Sequence, residues 1–159
     1  MDGPTSIPLR IEPTDAGADH SHIVVTRVVR QDNNHALLAA AQFGPADHPS
    51  VKMEFPVTRG GVELGDVSEF KGVSFDMRGE GQYRLLLKTY AVHDPNLYSA
   101  RIAPSGEWHT VRLPFAEIKR AKQISAWDGR DLVSLVFEMS GAPETTSSLE
   151  LDNLAFYKD

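Results

Sequence analysis

Charged and aromatic side chains recur at alternate positions through GVSFDMRGEGQYRLLLKTYAVHDPNLYSARIAPSGEWHTVRLPF, residues 72 to 115. Asp76, Arg78, Arg84, Lys88, Tyr90, Arg101 and Arg112 fall opposite Val73, Phe75, Met77, Leu85, Leu87 and Val111 if the stretch is extended. Planar guanidinium forks beside an aromatic ring suit sugar hydroxyls, carboxylates or the acidic side chains of a protein partner. The plain alternative is a solvated sheet face with cross-strand ion pairs of small value. Trp127, in the turn signal Trp127-Asp128-Gly129, would add a stacking ring at the rim, whereas Trp108 at a strand start reads as rim packing. The expected ligand-binding residues are therefore Arg84, Lys88, Tyr90, Arg101, Arg112 and Trp127.

Reaction motifs are missing. The chain contains no G-x-S-x-G elbow, H-E-x-x-H pair, Walker loop or dinucleotide-binding glycine pattern, so a non-catalytic role is expected. His93 with Asp94 is the one local pair that an enzyme reading would use. His20-x-His22 beside Asp19 could set two imidazoles on one strand face, and a solvated loop explains it more simply. A structural calcium ion would draw on Asp152 with Asp19, Glu12 or Asp15, since calcium takes six to eight oxygens; ordinary turn carboxylates account for the same residues. No other cofactor is expected.

The bulk properties narrow the partners. A net charge of -6 argues against nucleic acid and anionic membranes, which require clustered excess cations. The absence of cysteine excludes disulfides and thiolate metal sites without indicating a compartment. No apolar run approaches the ~20 residues of a membrane-spanning helix. MDGPTSIPLR has no apolar signal core, and a piece cut from a longer protein would begin the same way. Carbohydrate or a protein surface remains as the expected partner, with localisation and oligomeric state open.

The elements that must carry these residues read as strands. Residues 1–7 look like a loose lead-in, and 8–159 like one domain. Leu9 and Ile11 begin a short extended piece. His22 to Arg30 is strongly β-branched, and Gln31 to Asn34 is a turn. His35 to Phe43 has helix-favouring alanines, but its small side chains also suit a crowded inner strand, and strand is the reading adopted. Val51 to Val57 alternates. Residues 58–71 form a loop anchored by Val67 and Phe70.

In the central stretch, strands at 73–78, 83–88, 98–102 and 108–113 are joined by short turns into one antiparallel sheet, with Gly79-Glu80-Gly81 as a hairpin turn using positive φ. Phe115 to Lys122 could form about two helical turns, and at most one short helix is expected, near 115–122. Leu132 to Met139, apolar on both sides, reads as a strand covered on both faces, and Leu149 to Tyr157 closes the chain. About ten short strands separated by turn signals imply an all-β, antiparallel two-sheet sandwich, a jelly roll.

SFDMRGEGQYRLLLKT, YSARIAPSGEWHTVRLPF and SLELDNLAFY together resemble the complex I intermediate-associated protein 30 family, over roughly Val67 to Tyr157. The resemblance implies a galactose-binding-like jelly roll, similar in fold to family-11 carbohydrate-binding modules. It further implies either a binding module, such as an accessory domain of a larger bacterial protein, or an assembly factor for respiratory complex I. It carries over no catalytic residue; Arg78, Tyr83, Arg84, Trp108 and Arg112 match its motif. The early glycine-rich motif of that family is absent, and DHSHIVVTRVVR stands in its place.

Overall fold

A computed structural model describes residues 5–6, 12–14, 20–32, 34–58, 64–92, 96–121, 123 and 125–159. Eleven strands are defined among them. They are β1 (Thr5–Ser6), β2 (Glu12–Thr14), β3 (His22–Gln31), β4 (Asn34–Gln42), β5 (Ser50–Pro56), β6 (Gly72–Gly79), β7 (Gln82–Thr89), β8 (Tyr98–Ile102), β9 (Ser105–Pro114), β10 (Leu132–Ser140) and β11 (Thr146–Tyr157).

The strands form two sheets. The first runs β3-β4-β11-β6-β9, with β1 also on β11; the second runs β2-β5-β10-β7-β8. Every pairing is antiparallel. This is the jelly-roll sandwich expected from the alternation. Thr5–Ser6, inside the anticipated lead-in, pair with Phe156 and Ala155. The extended piece expected at Leu9–Ile11 lies outside the described residues.

Burial follows the two-residue period. Val73, Phe75, Met77, Tyr83, Leu85 and Leu87 are all buried in one core with Met53, Phe55, Phe137 and Met139. Phe75 of the first sheet meets Phe137 of the second edge-on, with ring centroids 5.1 Å apart, and Phe137 meets Phe55 in the same way at 5.6 Å. Such edge-to-face contacts add to the burial of apolar area and key the sheets together. The alanines of β4 suit its inner position: Ala36, Ala39 and Ala41 are buried between β3 and β11.

Three expectations are corrected. The central strands do not form one sheet: β6 pairs with β9 in the first sheet, and β7 with β8 in the second. Gly79–Gly81 is thus an arch across the sandwich, not a hairpin. Its glycines do not take positive φ, which among described glycines occurs only at Gly129. Space is what demands them. A Cβ on Gly79 would collide with the Tyr83 hydroxyl, and one on Gly81 with the Ser147 Oγ. The Tyr83 hydroxyl accepts the Gly81 N–H at 2.8 Å and donates to the Ser148 carbonyl, tying the arch to β11.

Third, the helix expected at 115–122 shrinks to one 3-10 turn, Phe115–Glu117. Ile118 is buried, and Lys119 exchanges both backbone hydrogen bonds with Ser99 of β8. Pairing with a sheet edge outweighs the weak local helix propensity of FAEIKRAK.

Gly72 provides a direct test of the first sheet's packing. A Cβ there would overlap the Leu113 carbonyl oxygen and lie 2.7 Å from the Tyr157 hydroxyl and 2.8 Å from the Pro114 Cα. Because two of these neighbours are backbone, Gly72→Ala is expected to cost about 3 kcal/mol, a fall in melting temperature on the order of 5–10 °C. A thermal melt within 2 °C or so of wild type would contradict this close approach of β6 to β9.

Candidate functional site

The outward residues of the central stretch divide between opposite faces of the sandwich, because β6 and β9 belong to one sheet and β7 and β8 to the other. Asp76, Arg78 and Arg112 lie on the first sheet's outer face; Arg84, Lys88 and Arg101 lie on the second's. A strand alternates in the same way whichever sheet it joins, so the pattern alone could not separate them.

The first face carries a closed network. Arg30 Nη1 donates to Asp76 Oδ2 and to Asp152 Oδ2, each at 2.8 Å. Thr110 donates to Asp76 at 2.6 Å, Asn34 to Asp152 at 3.1 Å, and Asn153 to Asp76 at 3.0 Å. The Arg30 guanidinium also sits 4.2 Å from the centroid of Trp108. With strands about 4.8 Å apart, a flat sheet would put β3 and β9 roughly 19 Å from each other, so the β3–β4 end must curl over the face. Pairing irregularities lie between Val29 and Gln31 and between Asp152 and Ala155, where Asn153 has φ 52; such irregularities bend a strand locally and raise its twist.

Charges on this face are largely mutually satisfied. Burial pushes the Asp76 carboxyl up, but hydrogen bonds from Thr110, Arg30 and Asn153 outweigh it and hold the group below the usual carboxylate range. Arg78 pairs with Glu150, and Arg112 lies 4.1 Å over the Tyr157 ring. At the end of the face an open depression of about 460 Å³ is lined by residues including Arg78, Glu80, Ser147 and Glu150.

The second face differs. Across β5, β10, β7 and β8, register aligns Lys52, Glu138, Arg84 and Arg101 in one row. Arg84 Nε donates to Glu138 at 2.9 Å, and Lys88 Nζ lies 3.0 Å from Glu54, which also accepts from Ser134 at 2.8 Å. Arg101 is exposed and makes no ion pair among the described residues. Beneath these heads Leu86 and Val136 form an apolar floor only 4% and 5% exposed. Beyond β7, Tyr90 is 69% exposed, its N–H bonded to the Asp131 carbonyl at 3.0 Å.

Asp131 organises that end of the strand. Its carboxylate accepts from the Ala91 N–H at 3.0 Å and from Trp127 Nε1 at 2.7 Å. Trp127, the anticipated stacking ring, is partly buried against Phe115 and Tyr98, with centroids 5.2 and 5.9 Å away. It braces the loop. Of the expected ligand residues, Arg84, Lys88, Arg101 and Tyr90 share one side, while Arg112 and Trp127 are engaged elsewhere. Sequence reasoning passed over Leu86 and Val136 as a floor and Asp131 as an anchor; the apolar reading of both sides of β10 was the available signal.

The other chemical candidates stand as follows. Asp152, considered for calcium, faces Arg30 and Asn34, and Asp19 lies outside the described residues. His20 and His22 are exposed, and His93 and Asp94 lie outside the described residues. Among the described residues no group of three or more His, Cys, Asp or Glu could hold a metal ion.

This fold is that of the carbohydrate-binding β-sandwiches. The chain is similar to a family 11 carbohydrate-binding module from Clostridium thermocellum, solved in complex with a β-1,3-1,4-mixed-linked tetrasaccharide. That match has 16% identity, covers 92% of this chain and 95% of that one, and has a TM-score of 0.65. It is similar to a family 30 carbohydrate-binding module at 14% identity over 93% of this chain and 78% of that one, TM-score 0.63. An exo-β-agarase matches 99% of this chain with 26% of its own length, at 12% identity and a TM-score of 0.66. At these identities the likeness is one of fold. No family model and no curated protein matches the chain.

Proposed function

We propose that this chain is a non-catalytic carbohydrate-binding module that takes its ligand on the outer face of the second sheet. The observation that carries this reading is a set of cationic donors, Arg84, Arg101 and Lys88, above the Leu86–Val136 floor, with the exposed Tyr90 ring at one end. Guanidinium groups hydrogen-bond hydroxyls while the exposed Tyr90 ring covers a sugar's C–H face. The fold shared with carbohydrate-binding modules supports it, and the match to a quarter of an exo-β-agarase is consistent with an accessory domain.

The assembly role implied by the resemblance would call for a flat or apolar exposed patch. The outward apolar residues of this face are buried under charged heads. Of the exposed large hydrophobics among the described residues, Val24 and Val29 share β3 in the first sheet, and Leu64 and Tyr90 lie on other segments, so only Tyr90 stands beside this face, an arrangement that favours sugar.

Calorimetric titration with a panel including mixed-linked β-1,3-1,4 gluco-oligosaccharides and agarose oligosaccharides tests the proposal. Binding to at least one glycan is expected. Arg84→Ala and Tyr90→Ala should each weaken it about tenfold or more, or roughly 1.4 kcal/mol. Arg78→Gln, on the opposite face, should leave affinity unchanged. Failure of every glycan to bind, or an equal loss from Arg78→Gln, would overturn the reading; capture of a protein through Arg84 and Tyr90 without any sugar binding would replace it with the assembly role.

A further inference from the structure

We propose that the ligand of this face is an acidic glycan, and that Arg84 and Arg101 together hold the carboxylate of a uronate residue. The inference rests on the carbohydrate reading above and names the sugar class. Arg84 and Arg101 are direct antiparallel partners on β7 and β8, which puts their Cβ atoms about 5 Å apart. Like charges directly opposite each other destabilise a sheet unless something negative lies between or over them.

Glu138 meets this need only on one side. It accepts from Arg84 Nε, so the ion pair uses the inner edge of that guanidinium. Arg101 has no carboxylate partner among the described residues. Between β10 and β8 the row Glu138-Arg84-Arg101 therefore sets two guanidinium groups against one carboxylate, in a chain whose net charge is -6. Two adjacent forks, one tethered by its Nε and one untethered, can take both oxygens of one carboxylate. The chain retains a local excess of cations against its overall balance.

A nucleic acid fits the face less well. Its duplex brings a charge about every 1.7 Å of axis, and a strand laid along β7 would press phosphates onto Glu138 and Glu54. A polysaccharide bearing carboxylates at wider spacing would set one between the arginines and leave hydroxyls for Lys88 and the two glutamates. The Tyr90 ring then receives a sugar further along.

The test is a calorimetric titration of the full chain with uronate oligomers (galacturonate, glucuronate and mannuronate), each paired with its carboxyl-reduced counterpart. A sulfated galactan oligomer and single-stranded DNA form the comparison arms. At least one uronate oligomer should bind about tenfold more tightly than its reduced counterpart, with a preference that shrinks as salt rises. Arg101→Gln should abolish that preference without lowering the melting temperature. Arg101→Lys should keep part of the affinity but lose the discrimination of carboxylate from sulfate, because it keeps the charge and lacks the fork.

Equal binding of acid and reduced forms would overturn this inference and leave the carbohydrate reading standing. Sulfated galactan or DNA binding as tightly as the best uronate would overturn the carboxylate assignment. Failure of every glycan, neutral or acidic, would sink both readings together.

Discussion

Phe137→Ala should lower the free energy of unfolding by about 4 kcal/mol. Phe137 is fully buried on β10 and touches Phe55 in its own sheet and Phe75 in the opposite one, both edge-on. Truncation removes a large apolar side chain, two ring contacts, and the contact at which the sheets meet. The void would lie between two hydrogen-bonded sheets that cannot easily collapse into it, so relaxation recovers little. Against a total stability of roughly 5–15 kcal/mol for a domain, the loss is a large fraction. Urea unfolding should show the midpoint falling at nearly constant slope. Phe137→Leu should cost only about 1.5 kcal/mol, since most of the volume remains. A cost for Phe137→Ala below about 1 kcal/mol would mean that the three-phenylalanine contact does not hold the sheets together.

Arg30→Ala is expected to cost about 3 kcal/mol, for an electrostatic reason. Asp76 and Asp152 are register partners on β6 and β11, and the Arg30 guanidinium neutralises both. Without it two partly buried carboxylates face each other across one ladder step. The pH dependence gives a distinctive sign. In the wild type the Asp76 carboxyl is held below its ordinary value, so its contribution is fully present above the unfolded pKa of about 3.9. That contribution is lost as pH falls through the depressed folded value.

In the variant the mutual repulsion raises a folded carboxyl above its unfolded value, so the penalty grows as pH rises through the folded pKa. Melting temperatures measured from pH 7 to pH 3.5 should therefore converge as the solution is acidified. A gap independent of pH would show that Arg30 acts by packing on Trp108 alone. The glycan binding proposed for the opposite face should be unaffected in the variant, apart from any loss of folded protein.

Much of the architecture was legible because period-two burial is a local property. The alternation of Val73, Phe75 and Met77, and of Tyr83, Leu85 and Leu87, describes an inward side for each strand without reference to its neighbours, and all six are buried. The β-branched run from Ile23 to Val29 reads as strand because such side chains crowd a helix. The alanines of β4 were the harder case, since their helix propensity conflicts with their place between β3 and β11. Similarly, FAEIKRAK contains a local helical preference that a single sheet-edge partner, Ser99, overrides.

The sequence by itself determined that this chain forms strands with one apolar side, enough of them for a two-sheet sandwich, and that arginine and lysine heads would stand on the outside. Only the tertiary structure decided which heads stand together. An arch such as Gly79–Gly81 carries the chain either back along one sheet or across to the other, and the burial pattern on both sides of it is identical in the two cases. Arg84 and Arg101 became neighbours, and Arg112 was sent to the far side, through backbone pairing between segments distant in the chain. Such pairing is a sum over whole ladders and leaves no mark on any one residue.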